Sequence, residues 1–165
     1  MRNFDPCFYV TAVDGLVYFG SSHDNAVHAL DARTGRERWV FFTEAPVRLP
    51  PTIHEGVAFA GSDDGHLYAL DARSGTLLWK DRGSPEDRRI PSNASMISLW
   101  PVRTAPLIAA DTLFYTASLT PWESSWLIAA NPRTGERRFS REISNVTLQG
   151  ALLASSDTLI APQGR

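Results

Sequence analysis

The side chains best equipped for recognition are crowded into two segments. Residues 81–100 end in Arg88-Arg89-Ile90-Pro91 and, further on, Ser98-Leu99-Trp100, and residues 119–126 read Leu-Thr-Pro-Trp-Glu-Ser-Ser-Trp. Together they carry Trp100, Trp122, Glu123 and Trp126, with Arg88, Arg89 and Arg103 close by. Aromatic faces beside guanidinium groups suit a polar organic ligand or a protein hot spot. The same rings have a plainer use, packing long loops onto a scaffold. The run Glu86-Asp87-Arg88-Arg89 mixes both signs and reads as a solvated charge cluster.

Other chemistries find little support. His23, His28, His54 and His66 show no metal-ligand spacing such as His-x-x-x-His. There is no Gly-x-Ser-x-Gly, no phosphate loop and no nucleophile–base pair detectable from spacing. Cys7 is the one cysteine, so an internal disulfide is excluded. A net charge of −2 gives no electrostatic case for nucleic acid or anionic lipid. No stretch approaches the ~18 apolar residues of a membrane span. Met1 to Cys7 lack the apolar run of a secretory signal. Asn93-Ala-Ser95 and Asn145-Val-Thr147 match the glycosylation acceptor, a short pattern with a high chance rate.

The elements that must position these side chains announce themselves by repetition. Ala29-Leu-Asp-Ala-Arg-Thr-Gly-Arg-Glu-Arg-Trp39 returns as Ala69-Leu-Asp-Ala-Arg-Ser-Gly-Thr-Leu-Leu-Trp79, a shift of 40 residues. A worn third copy, Ala129-Ala-Asn-Pro-Arg-Thr-Gly-Glu-Arg-Arg-Phe139, follows after a further 60. Self-similarity near ~40 residues, with each unit reading as strands, indicates a β-propeller. In the first unit the strands are Phe8–Val13, Leu16–Gly20, Val27–Asp31 and Glu37–Phe42, separated by Asp14-Gly15, a polar loop and Asp31–Gly35. The repeat units span about 8–42, 49–80, 104–140 and a partial 150–165, with 81–100 as an insertion loop. The expected fold is all-β: a partial propeller of four-stranded antiparallel blades, about three and half of a fourth.

The repeated residues have mechanical duties. Asp31 and Asp71, with Asn131 as the third version, are placed to accept turn N–H groups. Gly35, Gly75 and Gly135 should take the left-handed conformation that returns the chain into the fourth strand. Trp39 and Trp79, replaced by Phe139 in the third copy, should wedge between neighbouring sheets.

At these residues the chain resembles the quinoprotein-type, or pyrroloquinoline quinone (PQQ)-like, propeller repeat. The pattern is Ala-x-Asp-x-x-Thr-Gly-x-x-x-Trp preceded by Asp-Gly-x-Val-Tyr-x-Gly, here Asp14–Gly20 with Ala29–Trp39, then Glu55–Gly61 with Ala69–Trp79. The third copy departs at Asn131, Pro132 and Phe139. The resemblance implies one of two classes: PQQ-dependent dehydrogenases holding calcium, or non-catalytic propellers that include periplasmic scaffolds such as the outer-membrane assembly lipoprotein. The enzymes often carry a vicinal Cys-Cys pair, which this chain lacks, and none of its residues aligns with their cofactor or calcium ligands. The expectation is therefore a non-catalytic binding or assembly scaffold without cofactor. A fragment of a PQQ-dependent dehydrogenase, or a propeller attached to an enzyme or kinase domain, is the alternative. The resemblance also suggests a periplasmic or exported setting.

Propellers close with ~4–8 blades, so the expected partners are the remaining blades, self-association or a separate protein. In a meander, loops alternate between the two ends of the sheet. The strand 1–2 and 3–4 turns share one end; the 2–3 loops and blade-to-blade crossings share the other, and both insertions fall there. Long loops on a rigid scaffold are where binding resides. The candidate binding face is thus the loop end, carrying Trp100, Arg103, Trp122, Glu123 and Trp126.

Overall fold

Three tight hairpins set the pattern. Asp14-Gly15, Glu55-Gly56 and Ala110-Asp111 each have φ > 0 at both residues, with values of 51 and 77, 45 and 76, and 46 and 54. This is the turn whose twist matches two antiparallel strands. Glycine takes the second position cheaply in the first two; Asp111 does so without that freedom. The computed structural model describes residues 9–92 and 95–163; Cys7, Phe8, Asn93 and the last two residues of the fourth unit, named above, lie outside the described residues.

Sheet one comprises β1 (Thr11–Val13), β2 (Leu16–Ser21), β3 (Ala26–Asp31) and β4 (Glu37–Phe42) in sequential antiparallel order. Sheet two repeats it with β5 (Thr52–His54), β6 (Val57–Gly61), β7 (His66–Asp71) and β8 (Leu77–Arg82). The insertion is not irregular: β9 (Arg89–Ser92) and β10 (Ser95–Ser98) pair as a hairpin. After β11 (Thr104–Ala105), sheet three holds β12 (Leu107–Ala109), β13 (Thr112–Ala117), β14 (Ser125–Ala130) and β15 (Arg137–Ile143). Next come β16 (Gly150–Ala151), parallel to β11, and the hairpin β17 (Leu153–Ala154) with β18 (Leu159–Ile160). No helix occurs among the described residues. The chain is a partial β-propeller of four-stranded antiparallel blades.

Each 3–4 turn is built by its first side chain. Asp31 Oδ1 accepts from the Thr34 N–H at 2.8 Å, the Thr34 hydroxyl at 2.8 Å and the Arg33 N–H at 3.2 Å. Asp71 does the same with Ser74 and Arg73, and Asn131 Oδ1 takes the N–H groups of Arg133 and Thr134. Gly35, Gly75 and Gly135 have φ of 68, 73 and 74. The hydroxyl and N–H of Thr34, and then Arg38, favour the Asp31 carboxylate and pull its pKa down to about 2. A lowered carboxylate pKa contributes stability that is present above the ordinary value near ~4 and is lost as pH falls through about 2. An NMR titration of the Asp31 side-chain carbonyl should therefore show a midpoint near 2; one near 4 would mean that these turn bonds are absent in solution.

One residue past each turn pairing slips. The register shifts between Ala29 and Leu30, Ala69 and Leu70, and Ala129 and Ala130, so that Arg38, Leu78 and Arg138 are left over in the fourth strand. A bulge re-aims the neighbouring side chain. Trp39 then meets sheet two: its Nε1–H donates to the Ala72 carbonyl at 3.0 Å, and a Cβ on Gly75 would lie 2.7 Å from its ring. Trp79 meets Gly135 in the same way, at 2.8 Å from such a Cβ, but its Nε1–H has no acceptor. Phe139 is 44% exposed and packs on Phe114 of its own sheet, 6.4 Å between ring centres.

The core lies between sheets. Tyr18, Val27, Trp39 and Val47 pack on Ala58, Ala60, Tyr68 and Leu70 at the first interface. At the second, Phe59, Leu67 and Ala69 meet Leu113, Tyr115, Ile128 and the insertion residues Leu99, Trp100 and Val102. On the axis side, where first strands lie together, Thr11 Oγ1 donates to the Pro51 carbonyl at 2.8 Å and Thr52 Oγ1 to the Pro106 carbonyl at 2.5 Å.

Candidate binding face at the loop end

The crossing from sheet two to sheet three folds against the 2–3 turn of sheet two. Gly83 N–H donates to the Gly65 carbonyl at 2.8 Å, Ser98 N–H to that of Asp63 at 2.7 Å and Val102 N–H to that of Ser62 at 3.0 Å. The described residues of the insertion, 83–92 and 95–100, therefore sit at the end opposite the Gly35 and Gly75 turns. Gly65, at φ 90, has no room for a side chain: a Cβ there would be 2.6 Å from Ser98 Oγ.

At the heart of this end is Asp63, whose side chain is fully buried. Arg103 grips it with two parallel bonds, Nε to Oδ1 at 2.7 Å and Nη2 to Oδ2 at 2.8 Å. Arg48 adds a third, Nε to Oδ2 at 2.7 Å. Bidentate guanidinium–carboxylate geometry is the strongest form of this contact, and here it ties two blade crossings to one turn. Beside it Asp64, also buried, accepts from Tyr68 Oη at 2.7 Å, His66 N–H at 2.9 Å and Glu44 N–H at 3.1 Å. Burial opposes ionisation of Asp64, but the bonds from His66 and Tyr68 outweigh it and hold its pKa below the ordinary carboxylate value. Burial beside Asp64 pushes the Tyr68 phenol far up, so it stays a donor.

The candidate side chains are distributed unevenly over this end. Trp100 is enclosed in the second core cluster, with the Arg88 guanidinium 5.7 Å from its ring centre. It offers packing rather than an open face. Trp126, on β14 opposite Ala117 and Glu142, is half-buried against the same cluster. Arg103 is committed to Asp63. Trp122 stands out at 80% exposed, with half-buried Glu123 next to it. Around them Ser118 Oγ and Ser125 Oγ lie 2.6 Å apart, and Ser125 donates to the Val146 carbonyl at 2.6 Å, which seats the 119–124 loop.

Arg48 and Asp63 are residues that sequence reading passed over. A signal existed. Pro46-Val-Arg-Leu-Pro-Pro51 and Pro101-Val-Arg-Thr-Ala-Pro106 are a second repeat, shifted by 55 residues rather than 40. In both, the valine fills the space over a glycine of the second strand: Cγ1 of Val47 would lie 2.6 Å from a Cβ on Gly20, and Cγ1 of Val102 2.5 Å from one on Gly61. In both, the final proline supplies the carbonyl taken by a threonine of the preceding first strand.

The family model described as "Outer membrane protein assembly factor BamB", PQQ_2, matches residues 6–160. The chain belongs to this PQQ-like family. No curated protein matches it. Among solved structures, a quinohemoprotein alcohol dehydrogenase from Pseudomonas putida HK5 is similar, with a TM-score of 0.68 and 21% identity over 81% of this chain and 20% of that one. The quinohemoprotein alcohol dehydrogenase from Comamonas testosteroni gives 0.65 and 22% over the same shares. The computationally designed Ika4 protein gives 0.67 and 13%, covering 93% of this chain and 82% of its own. These likenesses establish the shared fold. The chain spans about a fifth of the length of the two dehydrogenases.

Calcium, which the enzymes of the PQQ-like family hold, takes six to eight oxygen ligands at a shared point. Among the described residues no three His, Cys, Asp or Glu side chains converge in a way that could hold a metal. The buried acids Asp63 and Asp64 are each spent on arginine, or on histidine and tyrosine. No helix among the described residues is long and apolar enough to cross a membrane.

Proposed function

We propose that this chain is a non-catalytic PQQ-like propeller segment that serves as a binding or assembly scaffold, forms part of a larger propeller, and engages a protein partner at its loop end. The observation that carries this reading is Trp122, a large ring held in solvent on an insertion whose base is fixed by Ser118 and Ser125. Exposed tryptophan on a rigid support is the usual material of a protein hot spot. Glu123 borders the contact, Trp126 and Trp100 pack the loops behind it onto the core, and Arg103 ties the neighbouring crossing to Asp63. The family description, an outer-membrane assembly factor, agrees with a scaffold role in a periplasmic or exported setting.

A photo-crosslinking amino acid at position 122 of the full-length protein, in its native cell, tests this. A discrete protein adduct at 122, and none from a probe at Arg36 on the opposite end, is the expected result. Adducts only at Arg36 would overturn the assignment of the face. Calorimetric titration with PQQ and calcium should give no stoichiometric binding; tight one-to-one binding would replace the scaffold reading with a dehydrogenase one.

A further inference from the structure

The two blade interfaces differ at the turn end. At each of these interfaces the 1–2 turn of the leading sheet opens with an acid, Asp14 or Glu55, and the 3–4 turn of the following sheet presents an arginine, Arg73 or Arg133. Between sheets two and three these join: Arg133 Nη2 reaches Glu55 Oε2 at 2.8 Å and Nε reaches it at 3.3 Å. Arg133 holds the Glu55 carboxyl below its usual range. Between sheets one and two the acid is one methylene shorter and the bridge is missing. Asp14 and Arg73 form no ion pair, with each other or with any other group, among the described residues.

A cleft of about 310 Å³ opens where that bridge would lie. Asp14 and Arg73 stand in its walls, and Leu16, Ile53 and the Tyr18 ring line it between them. Most of its other polar groups are spent. Tyr18 Oη donates to the Ala72 carbonyl at 3.0 Å, and Arg38 Nη2 is bound to Asp31 at 2.9 Å. Burial raises the Tyr18 pKa, Asp14 and Asp71 raise it further, and Arg73 opposes the shift. The cavity thus has one open anion, one open cation and an apolar middle. The charges are further apart than ion-pair contact, which leaves space for a small zwitterion to bridge them. The volume is at the small end of ligand pockets.

We infer that this cleft binds a small apolar zwitterion of the amino-acid or short-peptide type, with its ammonium on Asp14, its carboxylate on Arg73, and its apolar side chains on Leu16 and Ile53. The site lies at the end opposite Trp122 and does not depend on the loop-end reading.

The test is a titration of the folded protein with Leu-Leu, followed by amide NMR shifts and calorimetry. Saturable shifts should centre on Leu16, Ile53, Gly56 and Ala72. Acetyl-Leu-Leu-amide, which lacks both charges, should bind at least tenfold more weakly, as should Leu-Leu to Arg73→Gln. Asp14→Glu copies the acid of the second interface; it should close a bridge to Arg73 and abolish binding while leaving the rest of the amide spectrum in place. Absence of shifts at these four residues, equal affinity for the capped peptide, or undiminished binding to both Asp14→Glu and Arg73→Gln would overturn the inference.

Discussion

Replacing Trp39 with alanine is expected to destabilise the protein by about 3–5 kcal/mol, the range for deleting a buried large aromatic. Trp39 is 8% exposed, contacts Gly75 of the next sheet and donates to the Ala72 carbonyl. Alanine would leave a cavity between two sheets that neither could refill, because each is held in shape by its own hydrogen-bonded ladder. Trp79→Ala should cost less. Its ring is half-buried, and its unpaired Nε1–H already counts against it, so truncation also removes a buried donor without a partner. Denaturant melts of both variants measure the difference. In stacked repeats stability is a sum of unit and interface contributions, so hydrogen exchange should also quicken first in sheet one of the Trp39 variant. Equal losses for the two tryptophans would refute this account of the joint.

The second large effect is expected at Asp63. Asp63→Ala removes the one carboxylate that faces both Arg48 and Arg103. Breaking a buried pair from one side costs about 3–5 kcal/mol, since the remaining charge stays out of water without compensation. Arg48 is 35% exposed and can turn to solvent, whereas Arg103, at 18%, cannot do so freely, which places the expected loss near the lower limit, about 3 kcal/mol. Removing all three charges together, as Asp63→Leu with Arg48→Met and Arg103→Met, should recover most of the loss, because no charge is then stranded. Thermal unfolding of the single and triple variants decides. A triple variant no more stable than Asp63→Ala would show that the three groups do not act as a unit.

The parts of the fold readable in advance were those written in local chemistry. Asp-Ala-Arg-Thr-Gly encodes a turn within five residues, so the blades, the left-handed glycines and the tryptophan joint followed from one 40-residue echo. The inner joint was hidden because it keeps a different interval. The insertion between Trp79 and β11 stretches the spacing of Pro-Val-Arg to 55 residues while the tryptophans stay 40 apart, and a search at one period passes over the other. The β9–β10 hairpin was obscured by its short strands, one interrupted by Pro91 and neither with clean alternation. Arg103 was singled out for its chemistry, but sequence alone did not reveal that Asp63 would consume its donors. Trp100 and Trp122 looked equivalent as loop tryptophans; the close packing of Ser98 over Gly65 is what turns the first inward.

Neighbouring sheets are fastened at two distances from the axis, by threonine–proline bonds near it and by tryptophan on glycine far from it. One fastening would leave a hinge. Two set the wedge angle, as two pins set the pitch of a stair tread. A set angle is also a set count, because only a certain number of equal wedges completes a circle. Blade number is then a property of the distance between a tryptophan ring and the backbone of Gly75 or Gly135: a single added methyl there would lie 2.7 or 2.8 Å from the ring, inside carbon–carbon contact, and would prise the outer edge open and change how many wedges complete the circle.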